Sequence, residues 1–588
     1  MREIEVAVLV VGAGPAGLAA TALLAQYGID TLTVSRYPAT ANSPRAHITN
    51  QRTVEVLRDL GIEERVRAIA TPNQLMMNNV WATSFTGTEL ARLQTWGTGE
   101  QRKLDYETAS PCEMCNVPQH LLEPVILGAA REAGAPFLFN TELTRIAQEG
   151  DAVVADLKDL PTGEVFRVRA HYAIGADGGN SLVARDIGFE LEGEMGLAAA
   201  VNCWLEVDLS QYCAHRPGVL YWMTQPGNND WLGAGTFVCV RPWKEWVMLF
   251  MYDPAQGEPD LSDEAIVART RAIIGDPGIA IRVKSANKWK INHVVARDMR
   301  RGRVFLAGDA AHRHPPANGL GTNTSIQDSF NLAWKLAMVL KGQAGDALLD
   351  TYSAERQPVA RKVIDRALQS VQDMQAIADA IGFQPGQSVQ EGWHNVQELL
   401  SDSAQGRARR TTLDAAVQLQ NYQFNCHGVE LGQVYASDAV IRGTAEPDPV
   451  LRDPELYHQP STYPGASLPH AWLEYRQQRL STLDLCGKGR FTLLTGLAGK
   501  PWLAACEAVA AELGVELAAF AIGPGCEVLD VHGRWAQVRN MDESGCVLVR
   551  PDRHIAWRVQ QGASEPAAQL RAVLAAILQG TSARTGGL

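Results

Sequence analysis

The chain has 588 residues, of which 46% are hydrophobic and 20% are charged, a composition typical of globular proteins with two to four domains. Its net charge of −12 comes without any basic run, which argues against nucleic acid and anionic membranes as partners. No stretch approaches the roughly 20 apolar residues of a membrane-spanning helix, and the first strand leaves no room for a signal peptide, so a cytoplasmic protein is expected.

The first predicted unit is a strand, a glycine-rich turn, a helix and a second strand. Residues 4–11 are a near-continuous apolar run of strand length, and a helix is predicted from about 15 to 27. Between them, Gly12 permits the tight turn, Gly14 lets the backbone approach a pyrophosphate, and Gly17 allows close packing of the helix on the sheet. The helix N-terminus points its amides at the phosphates, so this unit predicts a bound dinucleotide.

The end of the second strand, predicted at 30–34, departs from the usual pattern, in which an acidic residue holds the adenosine ribose. Ser35 stands there and is followed by Arg36. The serine hydroxyl is still able to bond the ribose. Arg36 either lies along the adenine or a phosphate, or is an ordinary surface side chain.

Two further glycine motifs follow along the chain. A helix at about 118–134 and a strand near 165–174 precede Gly-Ala-Asp-Gly at 175–178, and another strand precedes Gly-Asp-Ala-Ala-His at 308–312. The three motifs together predict one long cofactor of the size of FAD, held at several places, and therefore a redox enzyme.

Residues 198–252 alternate as strands do and are rich in aromatic side chains, which predicts a half-buried antiparallel sheet and a floor for a flat substrate. Core packing is the alternative explanation for these side chains. They are Trp204, Tyr221, Trp222, Trp231, Phe237, Trp243, Trp246, Phe250 and Tyr252.

The last part of the chain is predicted to contain helices at 324–341 and 347–373, a polar linker and a separate α/β domain. The elements expected in that domain are strands at 491–495, 516–522, 536–538 and 546–549 and helices at 501–513 and 564–579. Of the ten cysteines, only Cys112 and Cys115 form a CxxC pair. No second pair completes a zinc site, so reduced thiols and no metal are expected.

Four segments, at 44–53, 308–316, 319–335 and 481–491, carry a resemblance to a known family. The chain resembles the FAD-dependent aromatic hydroxylases of the para-hydroxybenzoate hydroxylase and phenol hydroxylase type. The likeness is strongest to the group of 2,4-dichlorophenol 6-monooxygenase and 2-hydroxybiphenyl 3-monooxygenase, and it covers nearly the whole chain. It implies an α/β fold with a Rossmann-like FAD-binding domain, an inserted β-sheet substrate domain and a C-terminal thioredoxin-like α/β domain.

The expected boundaries are 1–75, 112–190 and 290–382 for the discontinuous FAD-binding domain, 76–111 and 191–289 for the substrate-binding domain, 383–429 for the linker and 430–588 for a thioredoxin-like domain without a redox CxxC.

The resemblance also implies contacts with FAD. Asp309 is expected at the ribityl chain, and Asp177 near both the pyrophosphate and the nicotinamide cofactor. The start of the helix after residue 320 is expected at the isoalloxazine edge, where its N-terminus stabilises the negative charge of reduced flavin. With the residues of the first unit, the expected cofactor-binding set is Gly12, Gly14, Ala16, Gly17, Ser35, Arg36, Arg45, Gln119, Asp177, Asp309, Gly319, Gly321, Thr322 and Asn323.

The chemistry implied is hydroxylation of an activated aromatic ring ortho to its hydroxyl. NADPH or NADH reduces FAD, and O₂ gives a C4a-hydroperoxyflavin that transfers OH to the ring. His47 is the candidate base at the ring hydroxyl, unless it only hydrogen-bonds within its loop. Arg241 is the second catalytic candidate. Substrate contacts are expected from Trp96, Tyr221, Trp222 and Pro316, with simple packing as the alternative for the aromatic residues.

Three functions remain open from the sequence. The first is hydroxylation of a simple phenol. The second is the same reaction on a hydroxypyridine or polyketide-derived ring in natural-product biosynthesis, which the unusual segment 223–232 favours. The third is an FAD-binding regulatory protein without catalysis. Apart from a small aromatic substrate and O₂, the expected partner is a second copy of the chain in a dimer or higher homo-oligomer.

Overall fold

The computed structural model describes residues 2–226, 233–384, 386–443 and 449–579. Trp231, one of the aromatic residues of the predicted sheet, and most of the segment 223–232 lie outside the described residues. Within the described part, no helix is long and apolar enough to cross a membrane.

The first sheet is built around the first glycine motif, which folds as a strand, a helix and a parallel strand at Glu3–Val11, Pro15–Gln26 and Thr31–Val34. On its other side, Glu3–Val11 pairs in parallel with Val165–Gly175. That strand pairs in parallel with Val304–Leu306. The three glycine motifs therefore begin at the carboxyl ends of three neighbouring parallel strands, where open α/β sheets bind their ligands.

Further strands complete this sheet and its surroundings. Phe137–Leu138 and Arg300–Arg301 lie at its two edges, and an antiparallel pair, Thr141–Glu149 and Ala152–Asp159, continues from Val165–Gly175. A small separate sheet contains Ile48–Thr49, Thr71–Pro72 and Cys115–Asn116.

The second sheet has eight strands, and its pairs are antiparallel except for Asn78–Ala82 with Gly218–Met223. One face forms a core with helix Asp263–Ile274. The predicted antiparallel sheet at 198–252 is confirmed. In spatial order the strands are His312–Arg313, Arg282–Ala296, Leu191–Glu206, Glu245–Tyr252, Gly235–Arg241, Gly218–Met223, Asn78–Ala82 and Glu89–Gln94.

The segment 383–429, predicted as a linker, is instead mostly helical. Helices Val389–Leu400 and Ala404–Leu419 begin at serine N-caps, Ser388 and Ser403, and their apolar stripes are buried in the core of the second sheet. Many exposed positions of these helices are polar, so the segment has the composition of a linker. Its apolar residues nevertheless recur with helical spacing, which is the pattern of an amphipathic helix.

The remaining helices up to residue 431 are Gln51–Asp59, Glu63–Arg67, Lys103–Ala109, Gln119–Glu132, Leu182–Ile187, Ser210–Cys213, Gly321–Leu340, Ala347–Asp373, Gln375–Ile381, Asn421–Phe424 and His427–Leu431.

The C-terminal part has a thioredoxin-like arrangement, with a four-stranded sheet in the order Leu517–Ala521, Phe491–Thr495, Cys546–Val549, Ile555–Val559. Helices Lys500–Leu513 and Pro566–Gln579 flank it, and Trp472–Tyr475, Gln478–Ser481 and Val528–Leu529 form a small sheet beside it.

The strand predicted at 536–538 is wrong, because this segment belongs to helix Arg534–Val538. The Asp530 carboxylate accepts hydrogen bonds from the backbone N–H groups of Trp535 and Ala536, at 3.3 and 2.9 Å, and so stabilises the helix start.

Fully buried ions dock the C-terminal part onto the two long helices. Glu355 accepts from Lys335 Nζ at 2.7 Å and from both terminal nitrogens of Arg550 at 2.5 and 2.8 Å, and Arg550 also pairs with Asp552. We call these four residues the buried ion cluster. Removal of one partner from such a group typically costs about 3–5 kcal/mol, since a buried charge is left unpaired.

Because buried histidines bind protons less readily than those of the unfolded chain, we predict that the free energy of unfolding falls in mild acid. Burial lowers the pKa of His470 and His554 to about 4, and that of His427 well below its ordinary value. The unfolded chain binds these protons near pH 6.5, so between pH 6.5 and 4 it holds more protons than the folded protein. Each histidine should therefore remove about 1.4 kcal/mol of stability per pH unit of acidification in this window.

The measurement is urea unfolding at pH 7.5, 6.5 and 5.5, with His470→Asn as the variant that removes one titrating group. We expect a steep loss of stability in the wild type and a smaller slope in the variant. Equal stability at the three pH values would contradict the assignment.

Candidate active site

The first two glycine motifs meet in direct backbone contact. Gly12 has a φ of +109°, and a Cβ on it would lie 2.1 Å from the carbonyl oxygen of Ala176. A Cβ on Gly17 would lie 1.9 Å from the Gly12 carbonyl oxygen. Only glycine permits these approaches, so the packing predicted for Gly12 and Gly17 is present.

Gly14 differs from its two neighbours, because a Cβ on it would meet nothing within 4 Å. It precedes the first residue of helix Pro15–Gln26, whose free amides favour an anion. Beside this opening, Ser329 Oγ donates to the Ala16 carbonyl at 2.7 Å. The open space at Gly14, enclosed by the other two motifs, fits the pyrophosphate of FAD.

At the adenosine end, Ser35 is buried and Arg36 is exposed. The Ser35 hydroxyl accepts from the Tyr37 backbone at 3.3 Å, and Arg36 donates to the Tyr37 hydroxyl at 2.9 Å. The guanidinium also lies over the Tyr37 ring. Both residues stand at the end of the second strand, as predicted, and Tyr37 orders them.

Asp177 shapes its own loop. Its carboxylate accepts from Ser181 Oγ at 2.5 Å and from the backbone N–H groups of Leu182 and Val183 at 2.7 and 3.1 Å. These bonds hold the start of helix Leu182–Ile187. Asp177 therefore lies beside Gly12, and its carboxylate is engaged in hydrogen bonds within its own loop.

Asp309 lies at the third strand end with its side chain open to the cleft. Burial by the surrounding protein raises the pKa of this carboxyl, while the charges of His312, Arg313 and Arg45 lower it to a smaller extent. Arg45 is exposed, and its carbonyl accepts from the Gln119 backbone at 3.0 Å. The Gln119 side chain donates to Glu123 at 2.6 Å. Asp309 and Arg45 thus approach the same cleft from different segments.

Asp328 organises the turn that contains Asp309. One oxygen of its fully buried carboxylate accepts from the Gly308 backbone at 3.1 Å and pairs with His312 Nε2 at 2.8 Å. The other accepts from Arg356 Nε at 2.8 Å, and the neighbouring charges hold the pKa of Asp328 below its usual value despite burial. The ionised carboxylate therefore fixes both ends of the turn at 308–312.

The loop between 316 and 323 closes the flavin side. Pro316 is exposed, and Gly319 has a φ of +66° with the Ile48 side chain beside it. Asn323 donates to the carbonyls of Ile48 and Gly319 at 2.9 and 2.6 Å. Its side chain is therefore structural, while the amides of residues 321–323 start helix Gly321–Leu340, as predicted.

His47 is held by Asn116. The Nδ1 atom of His47 lies 2.7 Å from Asn116 Oδ1, and the Asn116 amide nitrogen donates to Thr71 Oγ1 and to the Cys239 carbonyl. These two acceptors orient the amide, so its oxygen faces His47 and Nδ1 carries the hydrogen. Nε2 is then the basic nitrogen. Burial lowers the pKa of His47 to about 4, which keeps the imidazole neutral at pH 7.

The second sheet presents one face to these loops. Trp81 and Trp222 stack here with centroids 6.4 Å apart, and Phe424 packs against both of them. At the other end of this face, His120 packs against Trp204. The half-buried Val238 and Leu249 lie on strands between these two ends. We call this surface the substrate face.

Tyr221 and Trp222 were both predicted to contact substrate, but adjacent strand residues point to opposite sides. Tyr221 packs against Phe85 and Trp246 in the core, and its hydroxyl donates to the Arg216 carbonyl at 2.8 Å. The prediction for Tyr221 is therefore wrong, whereas Trp222 lies on the substrate face. Trp96 is buried against Phe424, 5.6 Å between centroids, and so packs behind this face.

The catalytic role predicted for Arg241 is not supported by its position. Its side chain is 64% exposed and pairs with Glu245 at 3.2 Å, at the end of strand Gly235–Arg241. An exposed guanidinium at the rim lacks the enclosure that strengthens electrostatic catalysis.

Sequence reasoning missed Asn116, Asp328 and Phe424. Asp328 had a signal, because it is an acidic residue within a helical segment that carried the family resemblance. Asn116 and Phe424 had none, since their roles depend on contacts with segments far away in the chain.

Comparisons with known proteins identify the family of this chain. A family model described as FAD binding domain matches residues 5–367, and one described as Aromatic-ring hydroxylase, C-terminal, matches 461–580. The chain is 47% identical over 577 residues to 2,4-dichlorophenol 6-monooxygenase of Delftia acidovorans, covering 98% of each. It is 46% identical to that of Cupriavidus pinatubonensis, covering 100% of this chain and 98% of the relative.

A solved structure, the flavin-dependent monooxygenase PieE in complex with FAD and substrate, superimposes with a TM-score of 0.94 at 46% identity, covering 98% of this chain and 100% of PieE. Because its three glycine motifs fit FAD and its relatives match it over nearly their full length, the chain belongs to the FAD-dependent aromatic-ring hydroxylases.

Proposed function

We propose that this monooxygenase hydroxylates a phenol at the carbon ortho to its hydroxyl. The observation that carries the proposal is the orientation of His47, whose free Nε2 is a hydrogen-bond acceptor for a phenolic O–H. The 2,4-dichlorophenol 6-monooxygenases, at 46–47% identity over nearly the full chain, support the same substrate class.

FAD, when bound and reduced by NADPH or NADH, supplies the activation of O₂ for transfer to the ring. Gly12, Gly14, Gly17 and the turn at Asp309 would hold it, with the start of helix Gly321–Leu340 near its isoalloxazine. Our proposal leaves the chain's own residues three tasks: to orient the ring, to accept its hydroxyl hydrogen bond and to exclude water.

His47 performs the second task. A neutral imidazole accepts the phenolic hydrogen bond at Nε2 and increases electron density on the ring, which favours attack at the ortho carbon. Asn116 keeps Nε2 free of hydrogen by accepting from Nδ1. Trp222 and the apolar surface around Val238 and Leu249 provide a flat wall for the ring.

The domain boundaries given above for the FAD-binding and substrate-binding parts belong to this proposal, as do a homo-oligomeric state and a cytoplasmic location. Size-exclusion chromatography with light scattering tests the oligomeric state.

Substitution of Gly14 should remove FAD without unfolding the protein. Gly14→Val places a branched side chain in the space left for the pyrophosphate, and we expect at least about a 100-fold weaker FAD affinity, with an intermediate loss for Gly14→Ala. Flavin fluorescence titration of the apoprotein measures the affinity, and circular dichroism checks the fold. Full FAD content in Gly14→Val would place the pyrophosphate elsewhere.

Removal of the His47 imidazole should slow hydroxylation and leave FAD binding intact. We expect kcat to fall about 100-fold in His47→Ala, the usual effect of losing a general base, and less in Asn116→Leu, where the ring loses only its orientation. The assay follows phenol-stimulated NAD(P)H oxidation together with catechol formation. The exposed His171→Ala serves as the control variant, and unchanged, fully coupled turnover in His47→Ala would refute the role of His47.

A further inference from the structure

Within the part of the chain that the structure describes, three buried polar side chains on the substrate face are without hydrogen-bond partners. They are Trp222, 6% exposed, with its Nε1 atom, Thr236, 3% exposed, with its hydroxyl, and Asn79, 0% exposed, with both side-chain amide atoms. Buried polar groups are nearly always paired in folded proteins, so a concentration of unpaired ones on one face indicates a partner that binds there.

The strand register places these residues on the same face. Trp222 stands opposite Thr236 on one neighbouring strand and opposite Trp81 on the other. Asn79 lies two residues before Trp81, and side chains two residues apart point to the same side. Phe237, next to Thr236, points into the core on the opposite side, where it meets Phe85 edge-on.

The same face lies beneath His47. Asn116, which orients His47, donates to the Cys239 carbonyl of strand Gly235–Arg241. Thr236 is three residues from Cys239 on that strand, about 10 Å along the chain direction. With the phenol hydroxyl at His47, as in the proposed function, the far side of the ring, or a fused second ring, would extend along this face in the direction of Thr236 and Trp222.

The hydrogen-bonding groups of Trp222 and Thr236 indicate which substituent on the substrate ring would bind next to them. An indole N–H only donates, and a threonine hydroxyl donates or accepts. A group that satisfies both must carry an acceptor, such as an ether, hydroxyl or carbonyl oxygen. A chlorine or alkyl group in that place would leave the donors unpaired, which penalises its binding.

We propose that Trp222 and Thr236, with Asn79 in the next row, form a subsite for an oxygen-bearing substituent on the ring side remote from the reactive hydroxyl. The preferred substrates are then oxygenated phenols or naphthols rather than chlorophenols. This inference rests on the proposed function for the placement of the reactive hydroxyl at His47.

Matched pairs of compounds test the subsite. Methoxyphenols and ethylphenols substituted at positions 2, 3 or 4, and the corresponding 6-substituted 2-naphthols, have nearly the same shape and differ in one ether oxygen. Their kcat/KM is measured by coupled NAD(P)H oxidation, and their Kd by the change in flavin absorbance. We expect the wild type to prefer the methoxy member of at least one pair by roughly tenfold, the usual effect of one neutral hydrogen bond.

Variants assign this preference to residues. Thr236→Val removes the hydroxyl and keeps the shape, so the methoxy/ethyl ratio should fall toward one because the methoxy compounds lose a hydrogen-bond partner. Trp222→Phe removes the indole N–H together with part of the ring wall, so both members of a pair should bind more weakly while their ratio falls toward one. Thr236→Ser should keep the preference. The control is Thr83→Val, in the bend that directly follows strand Asn78–Ala82. The Thr83 hydroxyl already accepts from the Thr88 backbone at 3.0 Å, so the ratio of this variant should equal that of the wild type.

A ratio near one for every pair in the wild type, or a preference unchanged in both Thr236→Val and Trp222→Phe, would overturn the subsite while leaving phenol hydroxylation in place. If no compound stimulates NAD(P)H oxidation, the proposed function fails instead, and the Kd ratios of the same pairs still decide whether the subsite exists.

Discussion

The geometry of the cofactor site depends on one buried carboxylate. Asp328 projects from helix Gly321–Leu340 and binds the turn at 308–312 from both sides, while Arg356 neutralises it from the next helix. Without this anion, the Gly308 amide and His312 would lose their partner in a place that water does not reach. The position of Asp309, the acidic side chain that opens into the cleft, follows from these bonds.

Arg356 extends this dependence into the C-terminal half of the chain. Its guanidinium also donates to Gln433 and to the Tyr435 hydroxyl, and Tyr435 stacks on His554. The buried ion cluster lies next to these residues and joins the long helices to the loop at 550–554. Displacement of one member of the buried ion cluster would leave a buried charge unpaired, which is costly. The thioredoxin-like part therefore holds the two long helices in place. This part contains no redox cysteine pair in its described residues.

Along each strand of the second sheet, successive side chains point to opposite faces. One face therefore packs in the core, and the other forms the substrate face. Tyr221, Phe237 and Trp246 fill one side, and Trp222, Thr236 and Val238 line the other. Asn116, in the small sheet of Ile48–Thr49, Thr71–Pro72 and Cys115–Asn116, connects His47 to the second sheet through its bond to the Cys239 carbonyl. The site thus combines residues of sheets that are built independently, which explains why no single segment of sequence contains it.

The sequence by itself predicted a cofactor of the size of FAD, because FAD binding requires glycines at fixed distances from strand and helix ends, and such local requirements are visible in the chain. The reaction class and the full fold class came from the resemblance of four segments to a known family. The sequence also predicted the close packing at Gly12 and Gly17, which the structure contains. Two sequence predictions were wrong. At 383–429 the polar composition predicted a linker, although the apolar residues recur with helical spacing. At 536–538 a strand was predicted, although Asp530 caps a helix there.

Tertiary structure alone decided the contacts of Asn116, Asp328 and Tyr221 and the face on which Thr236 lies. Each depends on which face a side chain takes and on partners far away in the chain, such as Cys239 for Asn116 and Arg356 for Asp328. The orientation of His47 is decided in the same way, since the hydrogen on its ring is placed by an amide that two other segments hold. Contacts of this kind leave no local pattern in the sequence, because long-range packing sets them and not the conformation of neighbouring residues.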